Sequence, residues 1–86
     1  MNVREFEDAV WAVERVRIVI RSRANSVVDD YDYERASQDT WRGNQLLGNR
    51  IIPKVGNRDV VVLQGDGEQP HGRVILRTLR ASYKRR

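Results

Sequence analysis

The hydrophobic period of this chain changes at Arg15, and that change fixes how its N-terminal part folds. Before it, the apolar residues keep a helical spacing: Phe6, Ala9, Val10 and Val13 fall on one stripe, while Glu5 and Asp8 project elsewhere. Asn2 stands three residues ahead of Glu5, so its amide can cap open backbone N–H groups while the carboxylate sits in the first turn. The spacing predicts a helix over Val3–Glu14. Trp11 lies off the stripe, where it either flanks the core contact or anchors an interface.

From Arg15 onward the period is two. Val16, Ile18 and Ile20 share one face and Arg15, Arg17, Arg21 and Arg23 share the other with Val19, the pattern of a half-buried strand. Four arginines on one face point to phosphate, but the next segment, Val27 to Glu34, carries Asp29, Asp30, Asp32 and Glu34. A hairpin turning at Asn25 and Ser26 sets Ile20 opposite Tyr31 and Ile18 opposite Tyr33, with Arg21 against Asp30 and Arg17 against Glu34 on the other face. A three-residue turn would bring Asp30 and Asp32 against the isoleucines instead. The shorter turn is expected, and with it an arginine face neutralised by its neighbour, since exposed ion pairs cancel local potential.

Further along, Ser37 or Asp39 opens a second helix that includes Trp41, Leu46 and Leu47 and ends near Gly48. Arg50 to Pro53 reads as a short extended piece and Gly56 with Asn57 as a turn. Asp59 to Gln64 is an apolar strand expected beside the first one. After the loop from Gly65 to Gly72, the final segment could pair as a hairpin or coil. On a helix, Arg73, Arg77, Arg80 and Lys84 occupy one narrow arc and Ile75, Leu76, Leu79 and Tyr83 another facing away; on a strand, each face would mix the two kinds. A helix is predicted, against the β-branched Val74, Ile75 and Thr78. The whole is then a small α+β domain in the order α-β-β-α-β-α, with about three strands and the helices on one face of the sheet. Residues 1–86 form one domain, of which 84–86 is a basic tail.

Composition narrows the function. With 40% apolar residues, 86 positions supply one modest core. The absence of cysteine excludes disulfides, thiolate metal sites and cysteine nucleophiles, and leaves His71 as the only imidazole. No apolar run exceeds Val60–Leu63, far short of the roughly 20 residues of a membrane span, and the N-terminus carries no apolar signal segment. A soluble cytoplasmic protein is expected.

Residues 67–74, GEQPHGRV, space two glycines like a phosphate-cradling loop between a strand and a helix. Where that motif needs lysine and a hydroxyl, this chain has Arg73 and Val74, and Val74 offers no oxygen to magnesium. A weaker expectation survives: Gly72 and Arg73 at a helix start, with His71 beside them, would present N–H groups and charge to an anion. The Asp29–Glu34 cluster lacks the glycine of a calcium loop and alternates with Tyr31 and Tyr33 as a strand would. No cofactor, metal or catalytic residue is expected.

The charge points to a binding function. The chain carries 16 Lys+Arg against 12 Asp+Glu, yet no acidic residue lies beyond Glu68. Arg73, Arg77, Arg80 and Lys84 can follow a phosphate backbone along one helical face. Arg42, Arg50, Lys54 and Arg58, from a segment without acid, extend the patch. The expectation is a non-catalytic module that docks on nucleic acid or a nucleoprotein through this C-terminal helix; four neutralised phosphates on duplex DNA imply a salt slope of about −3.6. The rival is a protein-binding inhibitor or adaptor, in the class of the small anti-CRISPR proteins and antitoxins of phages and plasmids. That likeness is one of class and not of residues. Under it Trp11, Trp41, Tyr31 or Tyr33 anchors a partner's pocket while the arginines meet an acidic protein surface. No membrane partner is expected, and no motif is specific enough to name a family.

Overall fold

The computed structural model describes residues 1–23, 25–56 and 58–83. Its first helix, α1 (Val3–Glu14), has the predicted bounds because the predicted capping box forms. The Glu5 N–H donates to Asn2 Oδ1 at 2.8 Å and the Asn2 N–H donates to Glu5 Oε1 at 2.9 Å. Val3, Phe6 and Val10 are buried along the apolar stripe. The helix stops at Arg15, whose backbone is left-handed (φ 57°) and whose N–H donates to the Trp11 carbonyl at 3.0 Å. This turn sends the chain straight into β1 (Arg17–Ile20).

β1 pairs antiparallel with β2 (Val60–Leu63), in the register Arg17↔Leu63, Ile18↔Val62, Val19↔Val61 and Ile20↔Val60. The neighbour foreseen for the Asp59–Gln64 segment is therefore correct, whereas the charged hairpin does not form. Val27 to Glu34 contributes no strand to the sheet, which among the described residues has two strands rather than about three. Two competitors account for this. An uncharged strand can bury Val62 beside Ile18 with nothing to desolvate, and the start of the chain captures the segment after the turn. The Val3 N–H donates to the Ser26 carbonyl and the Val28 N–H to the Met1 carbonyl, each at 2.9 Å, and Asn2 bridges Val27. Ile18, Ile20 and Val62 face the core; Arg17 and Val19 face outward.

The middle helix starts later and runs further than its sequence suggests. It begins at Gly43 rather than at Ser37 or Asp39, as α2 (Gly43–Leu46), and continues through a π-helical stretch (Leu47–Ile51) into α3 (Ile52–Val55). Gly48 does not end it, and Arg50 to Pro53 is helical, not extended. The π stretch reconciles Pro53 with a helix. Proline cannot donate to the carbonyl four residues back, and here the ladder has already shifted, with the Ile52 N–H on the Leu47 carbonyl. Gly56, at φ 70°, closes the helix.

The last helix, α4 (Leu76–Ala81), is shorter than predicted. Val74 stays outside the helix, its N–H closing a turn on the His71 carbonyl, and Ile75 is extended, as β-branched residues prefer, and bridges Arg42. Gly43 N–H to the Val74 carbonyl (2.8 Å) and Leu76 N–H to the Trp41 carbonyl (2.7 Å) flank that bridge. The order is thus α-β-α-α-β-α around a core of Phe6, Leu46, Ile51, Leu76 and Leu79. Among the described residues, no helix is long and apolar enough to cross a membrane.

Candidate functional site

The predicted C-terminal ridge is dismantled by a carboxylate that the sequence reading passed over. Glu14 is fully buried, and a buried carboxylate is stable only when it is paired and hydrogen-bonded. It receives the Tyr31 hydroxyl at 2.5 Å, the Ser37 N–H at 2.7 Å, Arg50 Nη1 at 2.7 Å and Arg80 Nη2 at 3.2 Å. Arg80 also donates through Nε to the Glu14 carbonyl at 2.7 Å and through Nη1 to Asp39 at 2.6 Å. Arg80 therefore points into the molecule, three residues from Arg77, which points out. Burial opposes the charge of Arg50, but its contacts with Glu14 and Tyr31 outweigh that and hold its pKa above the ordinary value. One signal was available: Glu14 follows Val10 by four residues and so continues the apolar stripe of α1.

The remaining cations of the expected patch disperse. Lys54 pairs with Asp32 at 3.3 Å. Arg58 reaches Ser22 Oγ at 3.3 Å and the Val55 carbonyl at 3.1 Å, at the far end of β1 from α4. Arg73 lies in a turn before α4 and not on it. Its N–H donates to His71 Nδ1 at 3.2 Å, so Gly72 and Arg73 do not form the open helix start foreseen for an anion. Arg42, Arg73 and Arg77 are exposed and make no ion pair among the described residues; Arg42 bridges Ile75, while Arg73 lies in the turn before α4 and Arg77 on α4 itself. Lys84 lies outside the described residues.

The face of β1 has the opposite history. Arg15, Arg17, Arg21 and Arg23 are all exposed, and none forms an ion pair among the described residues. The acids expected to neutralise them are elsewhere: Asp30 receives the N-terminal ammonium at 2.9 Å and Asp32 holds Lys54. Their strand partner is wholly uncharged, and Asp59, beyond it, accepts no ion pair among the described residues although its carbonyl takes the Arg21 N–H at 2.8 Å. Arg17 is an outward position of β1 itself, with Arg15 just before the strand and Arg21 and Arg23 just after it, so the four arginines succeed one another in a row along this stretch of chain.

Trp11 and Tyr83 finish this surface. Arg17 lies over the Trp11 ring with its guanidinium carbon 4.5 Å from the centroid, and Arg15 stands 6.0 Å from it. Tyr83 meets Trp11 edge to face at 5.3 Å. The Tyr83 hydroxyl accepts the Arg17 N–H at 3.0 Å and donates to the Leu63 carbonyl, which ties the end of α4 to the last rung of the sheet. Burial pushes this phenol above its ordinary pKa, partly countered by the Arg17 N–H. A groove of about 260 Å³ runs between α1 and the strand, lined by Glu7, Asp8, Trp11, Arg17, Val19 and Leu63. Of the other aromatic residues singled out, Tyr31 is an interior residue on Glu14, not an anchor. Tyr33 and Trp41 are half-buried, with Arg50 4.2 Å and 5.7 Å from their centroids.

Among the described residues, no three His, Cys, Asp or Glu side chains converge as a metal site. The GEQPHGRV loop borders a depression of only about 70 Å³, which includes His71, Gly72 and Asn44. No family model, no curated protein and no solved structure matches the chain.

Proposed function

We propose that this protein is a non-catalytic, cytoplasmic binding module for nucleic acid, and that it docks through the outer face of β1 and not through a C-terminal basic helix. One observation carries the reading: Arg15, Arg17, Arg21 and Arg23 are all exposed, Arg17 on the outward face of β1 and the other three on the residues that flank the strand, with no carboxylate partner among the described residues. A solvated row of guanidinium groups attracts an extended anion, and each phosphate it neutralises releases counterions. Such contacts supply affinity and orientation but little sequence information.

The test is the salt dependence of binding to a fluorescent single-stranded oligonucleotide. Four neutralised phosphates give a slope of about −2.8 in log affinity against log salt, at about 0.7 per contact on a single strand. Affinity that does not change with salt, or no binding at low salt, overturns the reading.

A protein partner is the second reading, favoured by the composition of the same face. Trp11, Tyr83 and Arg17 are residue types that dominate protein interfaces, and Val19 beside them is 39% exposed. Co-purification of a defined protein that survives nuclease treatment and is lost in V19D, with no oligonucleotide binding, would establish it.

A further inference from the structure

We infer that the groove between α1 and β1 is a pocket for one unpaired nucleobase carrying an exocyclic amino group, so that the module selects single-stranded nucleic acid. The inference rests on the proposed docking of a polyanion along β1 and adds what lies beside it. The groove is not uniformly basic. Its strand side carries Arg17, continuing into the arginine row, whereas its helix side carries Glu7 and Asp8. A duplex sets a phosphate backbone on each side of any groove it presents, and one of the two would lie against these carboxylates. A single strand does not, because its phosphates lie on one side and its bases can turn to the other.

The chemistry of the two sides matches that polarity. Phosphates meet guanidinium groups, and a base entering the groove meets hydrogen-bond acceptors. The Glu7 carboxylate is held in place, since its Oε2 takes the Ile20 N–H at 2.9 Å. Asp8 is exposed and makes no hydrogen bond among the described residues, which leaves both of its oxygens to accept. Carboxylates accept from the amino group of cytosine, while the carbonyl oxygens that thymine and uracil present in its place would face like partial charge. The walls suit a flat ring: Val19 and Leu63 are apolar, and Trp11 and the Arg17 guanidinium that lies over it both present flat π-systems to the groove. At about 260 Å³ the groove is far larger than a single water needs and has room for a flat ring.

The experiment compares oligo-dC with oligo-dT of equal length, for the full chain and for D8N, at one salt concentration. The two probes carry the same charge and similar rings, so their ratio reports the pocket alone. The expected result is about five-fold or greater preference for oligo-dC, the lower end of what one good base contact discriminates, falling to about one in D8N. Trp11 fluorescence should change more with oligo-dC than with oligo-dT. Equal binding of the two probes, or a preference that D8N leaves intact, overturns the base pocket while the arginine row stands. Failure to bind either probe overturns both. Asp8 is exposed on α1, so circular dichroism of D8N checks that the fold is retained.

Discussion

Two residues decide where this molecule presents its charge, and each does so against its local preference. Arg15 occupies a left-handed position that glycine adopts without cost, and it is the only non-glycine residue with positive φ among the described residues. R15G is expected to leave stability unchanged or raise it by up to about 1 kcal/mol, read from denaturant midpoints, while removing one phosphate contact. A loss of stability greater than about 1 kcal/mol would show that the stacking of Arg15 on Trp11 supports the fold instead. Glu14 is the second residue. By gathering Arg50, Arg80, Tyr31 and the Ser37 amide it connects α1, the 31–37 segment, the π-helical stretch and α4. E14A leaves Arg50 without a carboxylate and Arg80 with Asp39 alone, and urea unfolding should record a loss of about 3–5 kcal/mol. A change below about 1 kcal/mol would contradict the role given to it.

At the scale of elements, sequence was a good guide wherever local chemistry decides and a poor one wherever distant segments compete. The capping box and apolar stripe of α1, and the alternation of β1, are visible because each is complete within a few neighbouring residues. The hairpin was legible but wrong. Its ion pairs and core pairs segregate neatly in one register, yet nothing in that register reveals that Ser26–Val28 is claimed by Met1–Val3 and that β2 is the better partner. Pro53 and Gly48 carry stop signals that the π stretch absorbs. The arginines of β1 stay exposed because that hairpin does not form, and no local pattern links Glu14 to Arg80, 66 residues away. The junction between α4 and the sheet is also tight: a Cβ added at Gly65 would come 1.7 Å from the Ser82 carbonyl oxygen. G65A must therefore push the end of α4 outward and draw the Tyr83 hydroxyl away from Arg17 and Leu63. Thermal unfolding should show a loss of about 1–3 kcal/mol, and an unchanged midpoint would contradict this junction.

For the whole molecule, alkaline pH separates the fold from its binding surface. The phenols of Tyr31 and Tyr83 are both raised from an ordinary value of 10.0, chiefly by burial. In the unfolded chain they ionise first, so the unfolded state binds fewer protons above about pH 10 and stability is lost as pH rises from there. The arginines stay charged throughout, so oligonucleotide affinity should hold until the fold itself gives way. Denaturant midpoints should fall above about pH 10, with the fall reduced in Y31F and Y83F. A fall above pH 10 that both substitutions leave unchanged would contradict the assignment.

Cationic residues gathered at the end of a sequence need not form a cationic surface, because the fold can spend them on its own carboxylates; here Arg80 and Arg50 are spent and the row on β1 is not. The most direct measurement is oligonucleotide affinity against salt for two double charge reversals, R17E/R21E and R73E/R77E. The account predicts that R17E/R21E weakens binding at low salt and flattens the slope by about 1.4, two contacts at about 0.7 each, while R73E/R77E keeps the wild-type slope. The reverse pattern, with binding lost in R73E/R77E and retained in R17E/R21E, would contradict it.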